Sequence, residues 1–191
     1  MVDGSQVYAI GDLHLPGSMD KAMDMFGPQW EYHFEKIQAD WYDRAREQDI
    51  ILIPGDISWA MDLEDARGDL MAISRLPGSK IIIRGNHDYW WKGIARVRDA
   101  LPAGMYALQH DALRIGEYLF AGSRGWERPD SESPEPETDK IYQRELIRLD
   151  MSLQRARKLD PKKRLIAMCH YPPTDAQGVE TPVTSLMAHY Q

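Results

Sequence analysis

The chain predicts an α/β fold, a layered β-sheet core flanked by α-helices, on three observations. Short apolar runs alternate with segments of helical period, several runs stop at glycine or proline, and metal-type side chains follow the runs instead of sitting inside them. In order, Val7 to Ile10 reads as a short buried strand. Glu31 to Glu47 carries Phe34, Ile37, Trp41 and Ala45 at spacings of three and four, which predicts an amphipathic helix. Ile50 to Ile53 is a strand, Asp62 to Arg75 a helix, and Lys80 to Arg84 a strand entered through the Pro77-Gly78 turn. Trp91 to Ala100 predicts a helix ended by Leu101-Pro102. Met105 to Leu108, Ala112 to Ile115 and Tyr118 to Ala121 predict short strands, the last two a hairpin around Gly116. Glu127 to Glu137 is rich in proline, serine and acid and predicts a mobile surface loop. Thr138 is then the expected N-cap of a long helix with Ile141, Leu146, Leu149 and Leu153 on one face. Arg164 to Cys169 is a further strand, broken by His170-Tyr171-Pro172-Pro173, and Val183 to Tyr190 begins a helix.

A length of 191 residues suits one domain, and neither an internal repeat nor an interdomain linker is visible. Hydrophobic content of 43% with 28% charged residues fits a soluble globular protein, and no apolar run approaches the roughly 20 residues of a membrane helix. The start, Met-Val-Asp-Gly-Ser-Gln, lacks the features of a signal peptide, and the lone Cys169 has no partner for an intramolecular disulfide. Both favour a cytoplasmic protein with no membrane partner. A net charge of −7 repels phosphate backbones, which disfavours a nucleic-acid partner.

Four clusters stand out: Asp12-Leu13-His14, Gly55-Asp56, Gly85-Asn86-His87-Asp88 and His170, each just past a predicted strand. Asp12 and His14, two apart on an extended segment, can offer one cation a carboxylate and an imidazole. Asp56 follows a glycine that permits close backbone approach, and its carboxylate can bridge two ions. Asn86 offers a neutral oxygen ligand, His87 a proton donor, and Asp88 a partner to hold the His87 ring. Singly, each cluster has an ordinary reading: a turn aspartate, or a strand-end histidine satisfied by backbone. Together, at the ends of four strands of one sheet, they predict a metal site.

In these motifs the chain resembles the calcineurin-like metallophosphoesterase superfamily, whose pattern is Asp-x-His, Gly-Asp, Gly-Asn-His-Asp/Glu, a later His and a final Gly-His-x-His. The first four stand here as Gly11-Asp12-Leu13-His14, Gly55-Asp56-Ile57-Ser58, Gly85-Asn86-His87-Asp88 and Cys169-His170. Met23-Asp24-Met25-Phe26-Gly27-Pro28, Ser58-Trp59-Ala60, Asp88-Tyr89-Trp90-Trp91 and the stretch Ile141 to Leu149 add similarity to a bacterial group of small predicted phosphohydrolases. No Gly-His-x-His occurs up to Gln191, and His189 does not replace it. The resemblance therefore implies one domain over residues 1–191 that is truncated, without the family's final strand and last ligand motif.

Carried over, the family roles place Asp12, His14 and Asp56 on a first metal and Asp56, Asn86 and His170 on a second. His87 is the proton donor, oriented by Asp88. The resemblance implies a phosphohydrolase acting on phosphomonoesters or phosphodiesters through water activated by two divalent ions. Mixed oxygen and nitrogen donors without thiolate put manganese first, with iron, cobalt, magnesium or zinc as alternatives. The expected partner is a small phosphorylated substrate, such as a nucleotide. The competing reading is a non-catalytic module that binds metal or a protein partner, a homodimer included, through an uncovered sheet surface. Trp59, Trp90 and Trp91 read first as packing, with a pocket wall as the alternative. Arg84 and Arg124 read first as surface or ion-pair residues, with a phosphate contact as the alternative, His33 and His110 as structural, and Cys169 as a buried apolar side chain.

Overall fold

The computed structural model describes residues 4–17, 23–129, 135–174 and 177–191. Two compact units divide the chain, Met1–Ala107 and Leu108–Gln191. The α/β class predicted from the sequence is found in both.

In the first unit the strands are β1 (Val7–Ala9), β2 (Ile50–Ile53), β3 (Ser79–Ile82) and β4 (Met105–Ala107). They lie in the order β1-β2-β3-β4, and every neighbouring pair is parallel. Parallel neighbours need long crossovers. Those crossovers carry α1 (His33–Arg44), α2 (Leu63–Ser74) and α3 (Ile94–Ala100). All four residues of β2 are buried, as expected of a strand covered on both faces, and this is why it reads as the unbroken run Ile50-Ile51-Leu52-Ile53. The core around it takes in Trp41, Leu70, Ile73, Ile82 and Val97. The indole N–H of Trp41 donates to the Pro77 carbonyl at 3.0 Å, so this large side chain is buried with its polar atom satisfied.

Two helices of this unit are shorter than the apolar spacing predicts. α1 begins at His33, after Tyr32 in a left-handed conformation, and ends at Arg44 because Ala45 is extended. α3 begins at Ile94, not Trp91, because Trp90 and Trp91 are fully buried in the preceding turn. α2 matches closely, with Asp62 as its N-cap accepting from the Asp65 N–H at 3.1 Å.

The second unit has β5 (Ala112–Ile115), β6 (Tyr118–Ser123) and β7 (Arg164–Cys169), in the sheet order β5-β6-β7. β5 and β6 form the predicted antiparallel hairpin, turning through Gly116 at φ +56°. β7 adds parallel to β6 after the long helix α4 (Pro136–Leu159). The sequence places all four metal-type clusters at the ends of strands in one sheet, and here the structure differs: β7, which precedes His170, belongs to a separate three-stranded sheet. Proximity along the chain cannot assign a strand to a sheet.

α4 starts two residues before the predicted N-cap Thr138, with Glu135 at the cap and Pro136 in the first turn, where its missing N–H is no loss. The loop predicted over Glu127 to Glu137 therefore ends earlier, and its residues 130–134 lie outside the described residues. The buried stripe also differs. It runs through Tyr142, Glu145, Leu149, Ser152, Leu153 and Ala156 and so includes polar residues. Ser152 Oγ accepts from the Gly122 N–H at 2.8 Å and donates to the Asp111 carbonyl at 2.5 Å, and Glu145 accepts from Ser123 Oγ at 2.5 Å. These hydrogen bonds let polar side chains occupy a core position. α5 (Pro182–His189) opens with a capping box between Thr181 and Thr184. Among the described residues no helix is long and apolar enough to cross a membrane.

Candidate metal centre

Beyond the carboxyl ends of β1 and β2 the two chains continue side by side. Asp12 N–H donates to the Gly55 carbonyl at 3.1 Å, His14 N–H to Asp56 at 2.9 Å, Leu15 N–H to Ile57 at 3.0 Å and Trp59 N–H to Leu15 at 2.8 Å. Leu13 and Leu15 are buried beneath this ladder, whereas Asp12 is exposed and His14 half-buried. Three non-glycine residues in the ladder take positive φ: Asp12 at 56°, His14 at 46° and Asp56 at 52°. Each such residue costs about 1–3 kcal/mol and persists only where its surroundings hold it.

The result brings three of the predicted ligands together. His14 Nε2 lies 3.7 Å from Asp12 Oδ1 and 3.6 Å from Asp56 Oδ2. Carboxylate oxygens of Asp12 and Asp56 approach within 4.8 Å of each other. Both distances from His14 exceed a hydrogen bond. The two distances from His14 Nε2 fit ligand atoms that share an ion, since donors each about 2.0–2.2 Å from one metal stand no more than about 4.4 Å apart. The Asp56 side chain is only 3% exposed, so its charge lacks water and is compensated by what surrounds it.

One part of that surrounding is the third arm, which follows β3. Asp56 Oδ1 accepts from the His87 N–H at 2.8 Å, leaving Oδ2 on the side of His14. Gly85 makes this approach possible: a Cβ there would fall 2.0 Å from Asp56 Oδ1 and 2.3 Å from its backbone nitrogen. Gly85→Ala is therefore expected to destabilise the protein by about 1–3 kcal/mol or more through overpacking. Thermal unfolding checks this, and an unchanged midpoint would contradict it. Asn86 lies half-buried on the same turn.

Asp88 departs from its predicted role. It does not hold the His87 ring. Its carboxylate, wholly buried, accepts five N–H groups: Asp56 at 2.9 Å, Ile57 at 2.8 Å, Ser58 at 3.3 Å, Gly85 at 2.7 Å and the Trp90 indole at 3.0 Å. It thus ties the Asp56 loop to the Gly85 turn. Burial pushes its pKa up and the nearby Asp56 charge adds to the rise, while the N–H groups of Gly85, Ile57 and Ser58 pull it down. Among the described residues its hydrogen-bond partners are these five donors, which match the ionised, acceptor-only form.

The His87 ring has aromatic neighbours instead. Its Nδ1 is 3.5 Å from Tyr89 Oη, and its ring centroid is 4.8 Å from that of Trp59. Trp59 stacks on His14 as well, at 4.5 Å and 17° between planes. Of the three tryptophans read first as packing, Trp90 and Trp91 are core, each 1% exposed. Trp59 instead contacts two of the candidate functional histidines. Its position directly after Gly55-Asp56-Ile57-Ser58 was the available signal.

In the second unit His170 follows β7 directly, and its N–H donates to the Arg124 carbonyl at 3.1 Å, as does that of Tyr171 at 3.0 Å. The Arg124 guanidinium lies over the Trp126 ring at 4.5 Å. Burial pushes the Cys169 thiol up to about 12, in keeping with an inert core side chain. His33 contacts the Leu13 carbonyl through Nε2 at 3.0 Å, which fits its structural reading, and the ring of His189 meets Tyr190 edge-on.

No curated protein matches the chain closely enough to count as a relative. Among solved structures it is similar to the protein of unknown function AQ665 from Aquifex aeolicus, with 16% identity and a TM-score of 0.48 over 87% of this chain and 90% of that one. The family model for calcineurin-like phosphoesterases matches residues 5–188, a span that contains all four motifs and most of each unit. The chain belongs to the calcineurin-like phosphoesterase family.

Proposed function

We propose that the protein is a phosphohydrolase that cleaves phosphomonoesters or phosphodiesters of small molecules, nucleotides among them, with two divalent cations, manganese first. The observation that carries this reading is the buried Asp56 carboxylate, with Oδ1 taken by the His87 N–H and Oδ2 facing His14 Nε2 at 3.6 Å. Asp12, His14 and Asp56 would hold one ion. Asp56, Asn86 and His170 would hold the other, His170 being assigned from its place in the motif order. Asp56 would contribute to both while its Oδ1 keeps the His87 N–H. Bound there, divalent cations supply charge neutralisation at the phosphoryl group and a water of lowered pKa.

The chain's own residues do the remaining work. His87 gives a proton to the leaving oxygen from the ring nitrogen that does not face Tyr89. Trp59, packed against His14 and His87, restricts the imidazoles and keeps water from one face of each. Asp88 holds the loops that carry Asp56 and His87 and touches no substrate.

The test is hydrolysis of bis(p-nitrophenyl) phosphate and of p-nitrophenyl phosphate. Turnover that requires manganese and stops on chelation supports the reading, and turnover without metal would sink it. His87→Asn separates the proton donor from the ligands. It is expected to lower kcat by about 10²–10⁴-fold while bound manganese stays at the wild-type level. An equal loss of metal would reassign His87 as a ligand.

A further inference from the structure

Asp69, on α2, is a buried carboxylate outside every family motif, 9% exposed. Its Oδ2 accepts from the Gly17 N–H at 2.8 Å and from Ser58 Oγ at 2.5 Å, and Ser58 Oγ in turn accepts from the Ala60 N–H at 3.1 Å. One oxygen therefore joins the segment that follows His14 to the segment that follows Asp56. The contact is close, since a Cβ on Gly17 would stand 3.0 Å from the Ala60 Cβ.

We propose that Asp69 is a positioning residue for the metal site, holding His14 and Asp56 at the separation a cation requires. The proposal rests on the metal-site reading above and adds a residue to it. His14 at φ 46° and Asp56 at φ 52° are strained and relax unless both flanks are fixed. On the near flank the backbone ladder fixes them. Past Leu15 and Trp59 no further rung of that ladder is found among the described residues, and there Asp69 accepts from the Gly17 N–H. Without that clamp the two segments part, and His14 Nε2 leaves its place 3.6 Å from Asp56 Oδ2. Asp69 acts on the ligands from behind, as Asp88 does for the Asp56 and Gly85 arms.

The test is manganese titration of purified Asp69→Ala by calorimetry, beside wild type and Ile73→Val. Ile73 is a fully buried residue of the same helix, within the core and outside the clamp. Alanine removes the one oxygen that accepts from both Gly17 and Ser58. Asp69→Ala is expected to weaken manganese binding at least tenfold at its tightest site, while Ile73→Val binds as wild type even where its melting midpoint falls as far. Wild-type affinity in Asp69→Ala would overturn the proposal, and so would equal weakening in Ile73→Val, which would make the effect one of global stability. If Asp69→Ala does not fold, Ser58→Ala, which removes only the hydroxyl half of the clamp, carries the test and is expected to weaken binding about threefold. Absence of binding by wild type would bring down the metal-site reading itself, and the positioning role with it. Failure of the variant alone leaves that reading standing.

Discussion

Asp88→Ala is expected to lower stability by more than about 4 kcal/mol, a large share of the roughly 5–15 kcal/mol that holds a domain folded. The substitution removes the single acceptor of five buried N–H groups, on residues 56, 57, 58, 85 and 90. A buried donor left without an acceptor costs about 1–3 kcal/mol, and five that share one carboxylate do not add in full, so the lower half of the summed range is the expected size. Among the five, the Trp90 indole belongs to a side chain that is only 1% exposed. Asp88→Asn is expected to be milder but still large, as its amide turns a donor toward donors. Urea unfolding measures both. A loss under about 1 kcal/mol for the alanine variant would mean that the Asp56 loop and the Gly85 turn hold each other without the carboxylate.

The position of Asp88 shows how far the site could be read from the chain. The placement of Asp12, His14, Asp56, Asn86 and His87 was legible because each follows an apolar run, and a parallel sheet puts the carboxyl ends of β1, β2 and β3 along one edge. Adjacency to His87 then misled for Asp88. A carboxylate beside a histidine in sequence turned inward, where the backbone donors of two other segments outweighed a single imidazole. Asp69 was not legible at all, since an aspartate within Leu63-Glu64-Asp65-Ala66-Arg67-Gly68-Asp69 looks like one of several helix-surface acids. Only the tertiary placement of Gly17 and Ser58 distinguishes it. For the same reason α4 was legible as a helix but not in its buried stripe: Glu145 and Ser152 are hidden because Ser123, Gly122 and Asp111 meet their polar atoms. Sequence periodicity counts apolar side chains and is blind to a polar one whose partner lies 22 or 30 residues away.

The fold thus divides the labour between carboxylates of opposite placement. Asp88 and Asp69 are spent on backbone and hydroxyl groups and shape the loops. Asp12 and Asp56 face His14 Nε2 at distances too long for hydrogen bonds. Substitutions in the two sets are therefore expected to differ in kind. Loss of Asp88 shows in the absence of metal. Loss of a ligand shows only in its presence.

Asp56→Asn is the sharpest case of the second kind. Asn retains an oxygen for the His87 N–H, and it relieves a buried negative charge, so the metal-free variant is expected to melt close to wild type. What it loses is the anionic oxygen facing His14. Outer hydrogen-bond partners of metal ligands are typically worth about 10–100-fold in affinity, and on the proposed reading Asp56, as a direct ligand, is expected to exceed that. With manganese at about 100 times the wild-type dissociation constant, binding stabilises wild type by about 2.7 kcal/mol, and a 100-fold weaker variant by only about 0.4 kcal/mol. For a chain of this size the difference corresponds to roughly 5–9 °C in the melting midpoint. Turnover of bis(p-nitrophenyl) phosphate is expected to fall by at least the same factor of about 100. A variant that melts as wild type without metal and gains as much as wild type from manganese would remove Asp56 from the site. One that already melts far below wild type without metal would make Asp56 a structural residue like Asp88, held in place by the His87 N–H and not by an ion.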